Sequence, residues 1–95
     1  MATIIWLPEA VEDMVRLFDF LKNKNLMAAK RAAQLIKTGA DVLQNQPRLG
    51  RLMDDDTERR ELFLPFGNSS YVLRYKLDGE TVVIIRVWHG RELRH

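Results

Sequence analysis

The chain contains no cysteine. A disulfide framework and a thiolate metal site are therefore excluded, and the composition fits a reducing compartment. It has 2 histidines, without HExxH-like spacing, so the usual zinc signatures are missing too. No apolar run approaches the ~20 residues of a membrane span. The opening residues, MATIIWLPEA, carry neither a basic n-region nor a long apolar h-region, and are not expected to act as a signal peptide. Repeats, low-complexity stretches and linkers are also lacking. The 95 residues are expected to form one domain, 1–95, around one core. Strong charge of one sign is absent as well: the net charge is +2 and the pI about 9.2, a mild basicity that permits an anionic partner without requiring one.

What is present is ordinary for a folded domain, with 46% hydrophobic and 29% charged residues. Thr3 to Leu7 is a short β-branched run that reads as a strand. Pro8 closes it and suits the first turn of a helix, where no amide donor is needed. Glu9, Glu12 and Asp13 then fall near the helix N-terminus, where negative charge complements the dipole. Val11, Met14, Val15, Phe18 and Leu21, flanked by Ala10 and Leu17, follow helical spacing and predict a helix over Pro8–Lys22.

After Asn23-Lys24-Asn25, with Asn25 as a cap, a second periodic run follows. Its stripe is Ala29, Ala32, Ala33, Ile36, Ala40 and Leu43. Small residues let helices approach closely, so the pair predicts an antiparallel helical hairpin ending at Gln46-Pro47. Gly39 is expected to make a close contact that offsets its low helix propensity. Lys30, Arg31, Gln34 and Lys37 are expected to point outward. Residues 47–58 read as a loop. Asp54, Asp55 and Asp56 within it lack EF-hand spacing and read as a solvated turn. Arg59 to Pro65 is the next strand, with Arg60, Leu62 and Leu64 on one face and Arg59, Glu61 and Phe63 on the other.

The stretch from Tyr71 to Arg91 reads as two strands joined at Asp78-Gly79, a strong hairpin signal. That turn pairs Leu77 with Glu80, Tyr75 with Val82, Leu73 with Ile84 and Tyr71 with Arg86. It sets Arg74 and Arg86 on opposite faces, with Arg86 pairing Glu61 or stacking on an aromatic. The order is β-α-α-β-β-β. The last three strands should form an antiparallel meander, the helical hairpin should cover one face, and the first strand should join an edge. The fold class is α+β, with an N-terminal helical hairpin on a small antiparallel-rich sheet. The C-terminal end is basic: Arg86, His89, Arg91, Arg94 and His95 accompany a single acid, Glu92.

The segments Gly50-Arg51 and Arg60-Glu61-Leu62, the β-α-α-β-β-β order and the run YVLRYKLDGETVVIIRVWHGRE resemble the RelE/ParE toxin superfamily over nearly the whole chain. The resemblance implies the toxin of a type II toxin–antitoxin module, active in the bacterial cytoplasm, causing growth arrest or plasmid stabilisation. It implies no cofactor and no membrane partner. It also implies a hetero-oligomer with a cognate, ParD-like antitoxin that has a DNA-binding N-terminal dimer and a C-terminal segment that folds on binding. Met14, Leu17, Leu26 and Met27 are candidate contacts for that segment.

Two activities occur in the superfamily. RelE-like members cut mRNA on the ribosome; ParE-like members poison DNA gyrase. Metal-independent RNA cleavage needs a group to activate the 2′-hydroxyl, cations for the phosphate and an acid for the leaving oxygen. RelE-like enzymes take these from lysines on the strand before the hairpin, an arginine after the first aromatic of the next strand, and a C-terminal arginine and tyrosine. Here Phe63 and Pro65 stand where the lysines are expected, and Val72 stands at the arginine position. Arg91 matches, but no tyrosine follows it among residues 92–95.

The resemblance therefore favours the ParE-like branch, with no catalytic residue. Trp88, His89, Arg91 and Arg94 are the expected target contacts, supported by Arg86, Arg74 and Arg60. The alternative is a ribosome-dependent mRNA endonuclease with a rearranged site on Arg74, Arg86, His89 and Arg91. A third reading is an inactive, toxin-derived protein that only binds its antitoxin.

Overall fold

A computed structural model describes residues 1–92. The elements run β1 (Thr3–Trp6), α1 (Pro8–Lys22), α2 (Leu26–Val42), β2 (Arg51–Leu52), β3 (Arg59–Phe66), β4 (Ser69–Asp78) and β5 (Thr81–His89). The strands form one sheet of order β1-β5-β4-β3-β2. β2 to β5 are antiparallel neighbours, and β1 joins the edge parallel to β5. The α1–α2 hairpin covers one face. Each local expectation has a visible cause: Pro8 occupies the first turn of α1, and the Asn25 side chain accepts from the Ala28 amide to cap α2.

The core lies between the hairpin and the sheet. Ala10, Leu17, Ala32, Ile36, Ala40 and Leu43 meet Tyr71, Leu73, Tyr75, Val82, Ile84 and Val87. The alanines of α2 bring its backbone close to β3. A Cβ on Gly39 would come within 2.7 Å of Leu64 Cδ2, so this glycine makes the close sheet contact expected of it.

The structure corrects several expectations. Val11 and Val15 are exposed, and the buried stripe of α1 is Ala10, Asp13 and Leu17. The helix is rotated so that a carboxylate faces the sheet. α2 ends at Val42, before Gln46, because a turn with Leu43 as cap closes it early. The loop 47–58 contains the short strand β2, held to β3 through the pairs Arg51–Glu61 and Leu52–Arg60. In the β4–β5 hairpin, Asp78 pairs with Thr81, so the turn residues are Gly79 and Glu80. Only Gly79 has positive φ, at 60°, which fits a type II′ turn with glycine first and displaces the expected Leu77–Glu80 register.

A second shift follows within β5. Tyr75 pairs with Ile84, but Arg74 pairs with Arg86, leaving Ile85 as a bulged extra residue. Leu73 then pairs with Val87 and Tyr71 with His89. Arg74 and Arg86 thus sit directly opposite one another, contrary to the expected separation on two faces.

Arg86 is bound to Asp13 rather than Glu61. Its Nε and Nη2 donate to the Asp13 carboxylate at 2.7 and 3.0 Å. The Val87 amide donates to the same carboxylate at 2.8 Å, and Arg16 Nη1 adds a fourth bond. Asp13 is only 2% exposed. Burial pushes its pKa up, but the donors Arg86, Val87 and Arg16 outweigh that and hold it below the usual carboxylate range. This cluster bolts α1 to β5 at the bulge.

A second polar anchor lies at the other end of the core. The Tyr75 hydroxyl accepts from the Gly50 amide and donates to the Pro47 carbonyl, both at 2.8 Å. Arg60 Nη1 donates to the Gly50 carbonyl at 2.9 Å and to that of Arg48 at 3.3 Å, so it serves the same loop.

Two outcomes are expected. Asp13→Asn should lower stability by about 3 kcal/mol, since it weakens charge-assisted bonds to two arginines. The folded pKa of Asp13 lies below its unfolded value of about 3.9, so its contribution is present above pH ~4 and lost as pH falls through the folded pKa. Urea unfolding across pH 3 to 7 should show a shallower acid slope for Asp13→Asn than for the parent. Gly50→Ala should cost about 1–3 kcal/mol, because its Cβ would lie 2.6 Å from the Tyr75 ring, and an equal Tm would contradict the packing described.

Candidate functional site

The C-terminal end of β5 and the turn after it gather most of the residues singled out from the sequence. β5 delivers Trp88 and His89 on alternate sides. Gly90 follows, its amide donating to the Ser70 carbonyl at 2.7 Å. A Cβ there would lie 3.2 Å from both Ser69 Oγ and Ser70 O, so glycine allows the turn to lie against β4. Glu92 then folds back. Its Oε1 accepts from the His89 amide at 2.8 Å, and its own amide donates to the His89 carbonyl at 2.9 Å.

Arg16 of α1 ties this turn to the core. Its Nε and Nη2 donate to the Glu92 carboxylate at 3.3 and 3.0 Å, while Nη1 holds Asp13. A chain of alternating charge therefore runs from Arg86 through Asp13 and Arg16 to Glu92. Loss of water around Arg16 pulls its pKa down, but Glu92 and Asp13 raise it above the usual value. The tip is positioned by electrostatics carried from the protein interior.

Arg91 projects from this turn and is exposed. Its amide donates to His89 Nδ1 at 3.2 Å, which places the proton of the neutral imidazole on Nε2. The His89 ring meets Tyr71 edge-on at 5.2 Å between centroids, and Tyr71 in turn contacts Phe66 at 5.5 Å. Burial and the nearby Glu92 charge raise the Tyr71 pKa, so its phenol stays protonated at neutral pH and offers no base.

The remaining candidates are held elsewhere. Trp88 is 8% exposed, with the Arg74 guanidinium 4.7 Å above its ring. Arg74 is 9% exposed, and its Nε and Nη2 donate to Glu61 at 3.2 and 2.8 Å. Both lie on the sheet face away from the helices, with Val72 beside Trp88 and Phe63 beside Val72. Arg86 and Arg60 are committed to Asp13 and to the loop carbonyls. The four residues Arg74, Arg86, His89 and Arg91 therefore do not converge on one point: the first two serve separate carboxylates. Arg94 and His95 lie outside the described residues.

Between α1 and the sheet end lies an open groove of about 590 Å³. Leu17, Leu21 and Tyr71 form part of its wall, and Phe20, Lys24, His89, Arg91 and Glu92 reach it from the two sides. Among the described residues no group of three or more His, Cys, Asp or Glu is placed to hold a metal ion. The acidic loop is self-occupied: Asp55 accepts from Thr57 and Arg59. Sequence reasoning missed Asp13, Glu92 and the groove. Asp13 carried a signal, because it interrupts the helical spacing Ala10, Leu17 at a position where an apolar residue is expected.

Comparison with known proteins adds the family. The profile described as "ParE toxin of type II toxin-antitoxin system, parDE" matches residues 4–94. The chain is 38% identical to Toxin RelE1 of Caulobacter vibrioides over 92 residues, covering 97% of each chain. It is 38% identical to Toxin RelE3 over 92% of each chain, and 33% identical to Toxin RelE2 over 98% of this chain and 100% of the relative, both from the same organism. The fold is similar to that in the chromosomal ParDE system of P. aeruginosa, with a TM-score of 0.77, 22% identity and coverage of 94% and 96%. It is also similar to that in the E. coli RelBE complex, with a TM-score of 0.62, 15% identity and coverage of 99% and 100%.

Removing the Glu92 side chain by Glu92→Ala should free the His89 amide. Hydrogen exchange at that amide should accelerate at least ~10-fold while the global Tm falls by no more than a few degrees, because the carboxylate is part-exposed and screened. Unchanged exchange at His89 would show that Glu92 does not hold the turn.

Proposed function

Since the chain belongs to the ParE toxin family of type II toxin–antitoxin systems, we propose that it acts as a ParE-like poison of DNA gyrase in the bacterial cytoplasm. The observation that carries this reading is the apolar row on the open sheet face. Phe63 and Val72, paired with one another, stand where a RelE-like nuclease would set cations, and Val72 pairs in turn with Trp88. Trp88 and Val72 are also largely buried. Such a row neither activates a 2′-hydroxyl nor holds a phosphate. A gyrase poison needs no general base; it needs a shaped surface that binds the enzyme or its DNA complex. In this reading the His89-Gly90-Arg91 tip is that surface, with Arg91 as its exposed anchor and Trp88, Arg74 and Arg86 supporting it from within.

The partner that silences the chain is a ParD-like antitoxin with a DNA-binding N-terminal dimer, forming a hetero-oligomer. Its C-terminal segment folds onto exposed apolar side chains. Leu26 and Met27, at 47% and 61% exposure, suit that role, whereas Leu17, at 8%, does not.

A second reading, ribosome-dependent mRNA cleavage, draws support from the names of the three Caulobacter relatives, each called a RelE toxin. The two separate by experiment. Purified chain should inhibit supercoiling by gyrase and trap cleaved DNA, and Arg91→Ala should reduce that inhibition roughly 30-fold, the loss expected of an interface hot spot. Transcript cleavage in a translation extract, with gyrase unaffected, would establish the nuclease instead.

A further inference from the structure

We propose that the groove between α1 and the end of the sheet binds an unpaired nucleotide of single-stranded DNA. The groove's volume, about 590 Å³, falls within the range of small-ligand sites, roughly 300–1,000 Å³. Its chemistry has the two parts that a nucleotide presents. One part is aromatic. Phe20 is 61% exposed, an unusual state for a large ring on a helix that has an apolar face available for burial. It stands at the mouth of the groove, with the half-buried Phe66 in the same lining. An exposed ring at a cleft is a surface on which an unpaired base can stack.

The other part is cationic. Lys24 Nζ lies 4.6 Å from the Phe20 ring centroid, on the face a base would cover. A stacking base displaces that ammonium toward its own phosphate. Arg91 reaches the same groove from the opposite side. His89 adds a donor, since its Nδ1 is occupied by the Arg91 amide and its Nε2 carries the proton. The acid in the lining, Glu92, is bound to Arg16 and to the His89 amide, and so repels a phosphate less than its formal charge suggests.

Deoxyribose suits this site better than ribose. The sugar would lie against Leu21 and Phe66, where a 2′-hydroxyl would lose water without gaining a partner. The inference goes beyond the gyrase reading and stands apart from it, because it concerns binding by the free chain alone.

Fluorescence anisotropy with 5′-fluorescein oligo(dT), using the full chain without antitoxin or gyrase, tests it. The parent should bind in the micromolar range or tighter. Phe20→Ala should weaken binding roughly 10-fold. Lys24→Gln and Arg91→Gln should each reduce the salt slope by about 0.7, the value for one phosphate contact on a single strand. Phe20, Lys24 and Arg91 are exposed, so these variants keep the core intact. Lys30→Gln with Arg31→Gln, on the outward face of α2, should bind as the parent does.

Three results would overturn the proposal: no binding of oligo(dT); an equal loss in the α2 control, which signals charge alone; or a duplex binding as tightly as the single strand. An oligo(rU) arm that binds more tightly than oligo(dT) would overturn the preference for deoxyribose. Gyrase inhibition is read in a separate assay, so either idea can fail without the other.

Discussion

The structure depends on one carboxylate in the wrong place. Asp13 occupies a helix position that points into the core, where transfer of an unpaired charge from water would be prohibitive. The position is tenable because every direction from the carboxylate meets a donor: two nitrogens of Arg86, the Val87 amide and Arg16. Those donors are available only if α1 lies over β5 in one rotation and one height. An apolar stripe alone would tolerate neighbouring rotations, as the exposed valines on α1 illustrate. The bonded carboxylate does not. It also needs the β5 backbone to present the Val87 amide and the Arg86 side chain together, a geometry that the bulge at Ile85 supplies.

That arrangement explains why some features were legible in the sequence and others were not. Pro8 at the start of α1, the Asn25 cap and the glycines near the two hairpin turns act locally, and the elements they punctuate appear where expected. The register of β4 on β5 was not legible. Asp-Gly signals a turn without saying which two residues occupy it, and a bulge leaves no mark in an unbroken Val/Ile run. The misplaced register carried an error into the site, since it moved Arg74 away from Arg86 and gave Arg86 the wrong acid. Of the candidate contacts, His89 and Arg91 lie together at the strand end. Trp88 and Arg74 looked like surface anchors because aromatic and arginine residues near a strand end read alike whether they face solvent or each other.

The sheet presents two unlike sides. The side under the helices is continuous core. The open side carries a cross-strand row, Arg51, Glu61, Arg74 and Arg86, in which Glu61 stands between two arginines, and a parallel apolar row, Phe63, Val72 and Trp88. Charge on this side is largely spent internally, with Arg74 held by Glu61 and stacked on Trp88 and Arg86 turned to Asp13. Exposed cations also stand at the end of the molecule, Arg91 on the C-terminal turn and Lys24 in the α1–α2 connection. The electrostatic chain from Arg86 to Glu92 keeps that end in register with the core.

The bulged residue has a consequence for how the chain can change. Before Ile85, even-numbered residues of β5 point under the helices, as Val82 and Ile84 do. After it, odd-numbered ones do, as Val87 does. The strand therefore carries a frame shift written in space rather than in the gene. Deleting Ile85 would leave an unbroken alternation in which Ile84 and Val87 still face the helices and Trp88 still faces away. Straightening the strand with Ile85 retained would do the opposite, sending Trp88 inward and Val87 outward. The conformation of this one extra residue is as much a determinant of what the C-terminal tip can touch as the identity of any residue on it.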